Sequence, residues 1–108
     1  MREHQDAERE TANRASVVQV PVVDDPCSHV QAVHAVTPSA PGCEECLQSG
    51  DVWVFLRVCM TCGHIGCCDN SKNKHATKHF HATGHPIIKS FEAGEDWLWC
   101  YVDQKLMV

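Results

Sequence analysis

Cysteine and histidine supply most of the residues in this sequence that could do chemistry. The chain has eight of each in 108 residues, and two cysteine pairs have Cys-x-x-Cys spacing, namely Cys43 with Cys46 and Cys59 with Cys62. Zinc prefers thiolate and imidazole ligands, and two ligands two residues apart can hold one ion through a tight turn. The pairs therefore predict zinc binding.

Six further residues extend this ligand set. They are Cys27, His29, Cys67, His75, His79 and His85. His75 and His79 are four residues apart, so on a helix they would share one face. Two cysteine pairs together with a helical histidine pair favour metal ligation over buried free thiols and surface imidazoles.

Other uses of the cysteines fit the pattern less well. An iron–sulfur cluster usually takes four cysteines from a tight run, whereas here histidines are interleaved with them. A redox Cys-x-x-Cys belongs in a βαβ setting that this chain lacks. The first ten residues, MREHQDAERE, contain no apolar signal segment. We therefore expect a reducing, cytoplasmic location, where cysteines bind metal rather than pair as disulfides.

One stretch also has the spacing of a DNA-reading finger. Cys59, Cys62, His75 and His79 fit the Cys2His2 pattern. However, Lys72 stands three residues before the first histidine, where that finger has an apolar core residue. The formal net charge of -5 also argues against binding to nucleic-acid phosphates.

Neither catalysis nor a membrane location is expected. The helix of a zinc protease has the sequence H-E-x-x-H, and Ala76 stands where its Glu base would be. A zinc ion with four protein ligands keeps no open position for water, so the metal would be structural. No apolar run approaches the ~20 residues needed to cross a membrane.

The elements that must position these ligands can be read from the composition. Residues 1–25 carry no cysteine and are expected to form a flexible arm with one edge strand at Val17 to Val23, and residues 26–108 to form the domain. Further strands are expected over 52–58, 85–91 and 96–102. A helix is expected over 71–84, capped by Ser71 or Asn73 and ended by Gly84. The prediction is a small zinc-stabilised α/β (α+β) domain, with a twisted, antiparallel-rich sheet packed by one main helix.

Four motifs together resemble a known family. CEEC, CMTCGHIGC, HATKHFHATGHP and WCYVD, in this order, resemble the UBP-type zinc finger, and most closely its small bacterial stand-alone members. The resemblance covers roughly residues 27–103. The resemblance implies three zinc ions. It assigns one ion to Cys43, Cys46, Cys67 and His75, a second to Cys59, Cys62, His79 and His85, and a third to Cys27, His29, Cys100 and the residue at position 103.

Position 103 departs from the family, which normally has cysteine there. Asp103 keeps the two-residue spacing after Cys100, and carboxylate oxygen is a legitimate zinc donor at ~2.0–2.2 Å. We favour Asp103 as the fourth ligand, and the alternative is a surface acid at an incomplete site. Four residues stay outside the assignment, and they are expected at the surface or beside ligands: His34, His64, Cys68 and His81.

Strand alternation puts the aromatic side chains of the last apolar run on one face. This face carries Trp97, Trp99 and Tyr101; the other carries Leu98, Cys100 and Val102, of which Leu98 and Val102 are expected in the core. The aromatic face could be ordinary packing, whereas the resemblance implies a groove in which residues at the positions of Trp99 and Tyr101 hold the tail of ubiquitin.

Asp69 stands where ubiquitin-binding members have an arginine that grips the tail. Binding of that tail is therefore not expected, and a basic or amidated peptide should be preferred over a free acidic one. The predicted function is a non-enzymatic adaptor that binds a protein or peptide. The alternative is a purely structural or metal-handling zinc protein without a peptide groove.

Overall fold

The structure, a computed structural model, describes residues 17–108. Its centre is a five-stranded antiparallel sheet in the order β2-β1-β3-β4-β5. The strands are β1 (Leu56–Cys59), β2 (Ile65–Cys67), β3 (Ile87–Ser90), β4 (Leu98–Cys100) and β5 (Lys105–Met107), and the helices are a 3-10 helix (Ser28–Ala32), α1 (Glu44–Ser49) and α2 (His75–Thr83). The main helix, α2, packs against β2 and β1. The predicted fold class is confirmed.

The strand expected over 52–58 begins only at Leu56. The preceding Val52, Val54 and Phe55 are exposed. Strand β1 is paired from Leu56 with β2 and from Arg57 with β3, and the backbone N–H of Val54 instead donates to Ser71 Oγ at 2.9 Å. An apolar, β-branched run therefore forms a strand only where neighbouring strands supply hydrogen-bond partners.

Helix α2 also begins later than expected, because neither Ser71 nor Asn73 is its N-cap. The cap is Lys74 in the left-handed region, with φ of 52°. The helix ends as expected at Gly84, which has φ of 77°, a conformation that glycine adopts without strain. Gly66 lets the helix lie close to β2, since a Cβ there would come within 2.6 Å of the backbone nitrogen of Ala76.

The hydrophobic core lies on one face of the sheet. Its fully buried side chains include Val58, Ile65, Ile87 and Leu98, which alternate along their strands with residues of the opposite face. The expectation that Val102 belongs to this core is wrong, because its side chain is 53% exposed in the turn that follows β4.

Residues 17–36, which precede the sheet in the chain, pack against this core. Val18 exchanges backbone hydrogen bonds of 2.8 and 3.1 Å with Val36, and Val23 packs on the core. The strand expected at Val17 to Val23 is thus reduced to a single β-bridge. The rest of the expected arm, residues 1–16, lies outside the described residues. Within residues 17–108, no helix is both long and apolar enough to cross a membrane.

Candidate functional site

The first cluster joins both α-helices to β2. It contains Cys43, Cys46, Cys67 and His75, and its three sulfur atoms belong to fully buried residues. His75 Nδ1 lies 3.2, 3.4 and 3.6 Å from these sulfur atoms, in that order. One ring nitrogen carries a single proton or a single lone pair, so it cannot form hydrogen bonds with three thiols at once. The arrangement instead suits four ligands around a central ion.

The second cluster joins the end of β1 to α2 and the segment after it. It contains Cys59, Cys62, His79 and His85. Cys62 Sγ is 3.3 Å from His79 Nε2, and Cys59 Sγ is 3.5 Å from His85 Nδ1. A tight turn holds the cysteine pair, and in it the N–H of Gly63 donates to Cys59 O at 2.8 Å. Helix α2 therefore gives its first histidine to one cluster and its second to the other.

The third cluster joins the start of the 3-10 helix to the end of β4. It contains Cys27, His29, Cys100 and Asp103. His29 Nδ1 lies 3.6 Å from Cys100 Sγ and 3.3 Å from Asp103 Oδ2. The cysteines are buried, but the side chains of His29 and Asp103 are 33% and 40% exposed. Among the three clusters, this one has the only carboxylate.

The donor distances fit a tetrahedral zinc ion. Zinc–sulfur bonds of about 2.3 Å and zinc–nitrogen bonds of about 2.05 Å place tetrahedral sulfur and nitrogen ligands about 3.5 Å apart. The sulfur–nitrogen distances in the three clusters run from 3.2 to 3.6 Å. A nitrogen and an oxygen ligand should be about 3.4 Å apart by the same geometry, and His29 Nδ1 and Asp103 Oδ2 are 3.3 Å apart. All three donor sets are therefore capable of binding zinc.

The pKa values of several cluster cysteines and of His79 also favour a bound cation. Burial, assisted by the neighbouring thiols, raises the pKa of Cys43 to about 12, and burial also raises the pKa of Cys27 and Cys59. Burial lowers the pKa of His79, which favours the neutral imidazole that ligates metal. Several thiolates can therefore coexist in these clusters only with a cation between them.

A partly buried hydrogen bond connects the first and second clusters. His64, only 8% exposed, lies with its Nε2 2.7 Å from Oε2 of Glu45. The Glu45 side chain comes from inside the Cys43–Cys46 pair. On its other side, the His64 ring stacks on His79 with centroids 4.1 Å apart and planes 2° from parallel. From the sequence, His64 was expected at the surface or beside a ligand, and the structure places it beside His79. No spacing signal pointed to the bridge through Glu45.

The aromatic face forms an open groove on the side of the sheet opposite the core. We call it the aromatic groove; it has a volume of about 250 Å³. Its lining consists of Arg57, Ile88, Trp97, Trp99, Tyr101 and Leu106 from the sheet, with Cys68, Asp69 and Asn70 from the loop after β2. The three groove residues singled out in the sequence, Asp69, Trp99 and Tyr101, thus share one surface.

Arg57 is the groove residue that the sequence reasoning missed. Its guanidinium carbon lies 4.7 Å from the centroid of the Trp97 ring, an arrangement typical of a cation–π contact. A lone arginine within the apolar run VWVFLRV was the signal that could have revealed it, because a charged residue there must point away from the core.

Among known proteins, the chain is similar to parts of a deacetylase and of a hydrolase, and to one solved structure. The chain is 39% identical over 59 residues to the NAD-dependent deacetylase sir2A of Dictyostelium discoideum, covering 55% of this chain and 10% of that protein. It is 27% identical over 84 residues to ubiquitin carboxyl-terminal hydrolase 44 of Ailuropoda melanoleuca, covering 72% and 11%. The chain thus spans about a tenth of the length of these curated relatives.

The solved structure is the solution NMR structure of protein RPA1320 from Rhodopseudomonas palustris. It superimposes with a TM-score of 0.72 and 61% sequence identity, over 76% of this chain and 80% of that one. Residues 43–108 also match the family described as "Zn-finger in ubiquitin-hydrolases and other protein". The match covers most of the chain and bears out the resemblance to the UBP-type finger, so this chain belongs to that zinc-finger family.

Proposed function

We propose that this domain is a non-enzymatic adaptor that holds three zinc ions and binds a protein or peptide in the aromatic groove. One ion belongs to each cluster, with four protein ligands and no position left for a reacting water. The zinc ions would stabilise the fold directly, because binding at a structural zinc site contributes to the free energy of folding. None of the eight cysteines, all of which lie within residues 17–108, forms a disulfide, which suits the reducing environment of the cytoplasm.

The observation that carries the binding role is the aromatic groove itself. The core occupies the other face of the sheet, so Trp97, Trp99 and Tyr101 are not needed to fill it. All three remain only partly buried. Concave surfaces lined by aromatic side chains with a few polar groups are typical of ligand sites.

The tail of ubiquitin is not the ligand we expect, although the names of several relatives refer to ubiquitin. Asp69 places a carboxylate in the groove wall, where it disfavours a negatively charged tail and offers that tail no hydrogen-bond donor. A peptide that brings positive charge to this wall is more favourable.

The experiment is an NMR titration of the zinc-loaded, 15N-labelled chain. Short peptides ending in Gly-Gly or in Gly-Lys are added, and the indole N–H signals of the tryptophans are followed. Trp97 and Trp99 should shift with the basic peptide, whereas Trp53, which lies outside the groove, serves as the internal control. If no peptide moves Trp97 or Trp99, the binding function is wrong.

A structural or metal-handling role is the second candidate, favoured by the half-exposed ligands of the third cluster. It is separated from the first by the rate of zinc exchange. A metal-handling protein should exchange isotopically labelled zinc at several clusters within minutes. A binding module should retain at least the ions of the first two clusters.

A further inference from the structure

The aromatic groove carries two opposite charges, one in each wall. Arg57 projects from β1 and is partly buried, whereas Asp69 lies exposed in the loop after β2. Both residues line the aromatic groove together with Tyr101. A ligand seated on the aromatic rings therefore lies near both charges.

The positive charge of Arg57 is available to a ligand. One of its N–H groups donates to Leu56 O at 3.0 Å, and its guanidinium lies over Trp97. Among residues 17–108, no carboxylate lies within ion-pair distance of it. A guanidinium has five N–H donors in a planar fork, so donors remain for the two oxygen atoms of a carboxylate.

The negative charge of Asp69 is held in place by α2. Thr77 Oγ1 donates to Asp69 Oδ1 at 2.6 Å, and Thr77 Oγ1 also lies 3.2 Å from Tyr101 Oη. Because the threonine proton goes to Asp69, Tyr101 donates to Thr77. This chain of hydrogen bonds fixes one oxygen of Asp69. Within residues 17–108 the other oxygen has no hydrogen-bond or ion-pair partner, so it is available to a cation in the groove.

We propose that the aromatic groove selects a peptide whose last residue is basic, with the terminal carboxylate at Arg57 and the cationic side chain at Asp69. The proposal rests on the peptide-binding function above and names its ligand class. A volume of about 250 Å³ suits one or two residues rather than a long segment. The sequence predicted a preference for a basic or an amidated peptide. This proposal keeps the preference for a basic residue but reverses the preference for an amide, because Arg57 favours a free C-terminal carboxylate.

The test uses three peptides that differ in one charge each. They are Ala-Ala-Ala-Gly-Lys as the free acid, the same peptide as its C-terminal amide, and the free acid with norleucine in place of lysine. Hydrogen bonds to charged groups justify an expected loss of about tenfold in affinity for removing either charge. The zinc-loaded chain and the variants Arg57→Gln and Asp69→Asn are titrated with all three.

Each variant should erase one preference and keep the other. Arg57→Gln should bind acid and amide equally while still preferring lysine to norleucine, and Asp69→Asn should do the reverse. Unchanged zinc content and backbone NMR signals show that both variants fold. Binding without either charge preference overturns this proposal and leaves the groove function intact. Absence of any shift at Trp97 and Trp99 overturns both.

Discussion

Replacing Asp103 by alanine should release one zinc ion and leave two. A structural zinc site contributes about 10–16 kcal/mol, or about 3 kcal/mol for each of its four ligands. Asp103 is 40% exposed, so water can take its place and recover part of that loss. We therefore expect the third cluster to bind zinc between about tenfold and about 100-fold more weakly.

The assay is a competition with a chromophoric chelator, checked by native mass spectrometry. At a chelator concentration that leaves the parent chain with three ions, Asp103→Ala should keep two. Asp103→Cys should keep three and hold the third more tightly, since thiolate is the better donor for this ion. Asp96→Ala is the matched control, because that carboxylate is 84% exposed and lies outside the three clusters.

Two results would refute the reasoning. Unchanged affinity in Asp103→Ala would make Asp103 a surface acid whose 3.3 Å contact with His29 has no role in metal binding. Loss of all three ions would mean that the third cluster is needed for the whole fold.

The expected order of release under chelator is the third cluster first and the first cluster last, because the first has its three thiols fully buried.

Three further predictions concern residues outside the ligand set. His64→Ala removes the ring stacked on His79 and should weaken zinc binding at the second cluster by about tenfold to 100-fold. His81→Ala, at an exposed position of the same helix as His79, should leave zinc binding unchanged. Equal losses of zinc affinity in the two variants would contradict a role for the His64 bridge. Gly66→Ala places a Cβ against the backbone of α2 and should lower the free energy of unfolding in urea by about 1–3 kcal/mol, whereas an unchanged urea midpoint would show that the helix can move aside. Tyr101 is the only tyrosine, so the absorbance of its phenolate should titrate with a pKa near 12 rather than 10. Because burial favours the neutral phenol, the free energy of unfolding should fall as pH rises through this range. A titration midpoint at 10 would contradict the burial of the Tyr101 side chain.

The ligand types and their spacing were predictable because tetrahedral zinc imposes them. Cys43 and Cys46 must be close along the chain to turn two sulfur atoms toward one ion. Spacing does not say which pair shares an ion with which histidine. That grouping came from the family resemblance, and the structure puts the same four residues together in each cluster.

The secondary structure was predictable where a pattern was long enough to have a period. Helix α2 and the β3–β4 hairpin were found, because β3 and β4 lie inside the longer runs HPIIKSF and DWLWCYV. Strands β2 and β5 have three residues each and no such run around them. The start of α2 was misjudged because Ser71 and Asn73 looked like caps. In the structure they bond to the loop before β1, through Val54 and Asp51.

The elements that form the aromatic groove also carry the metal ligands. On β4, alternation turns Cys100 toward the core and the third cluster, and it turns Trp99 toward the groove. On α2, two histidines enter the first and second clusters, while the Phe80 ring stacks on Tyr101 with centroids 4.6 Å apart. Fixing the clusters therefore also fixes the groove walls relative to each other. A domain with a small core can in this way present a preorganised surface, because the ligand residues rather than the core hold its walls in register.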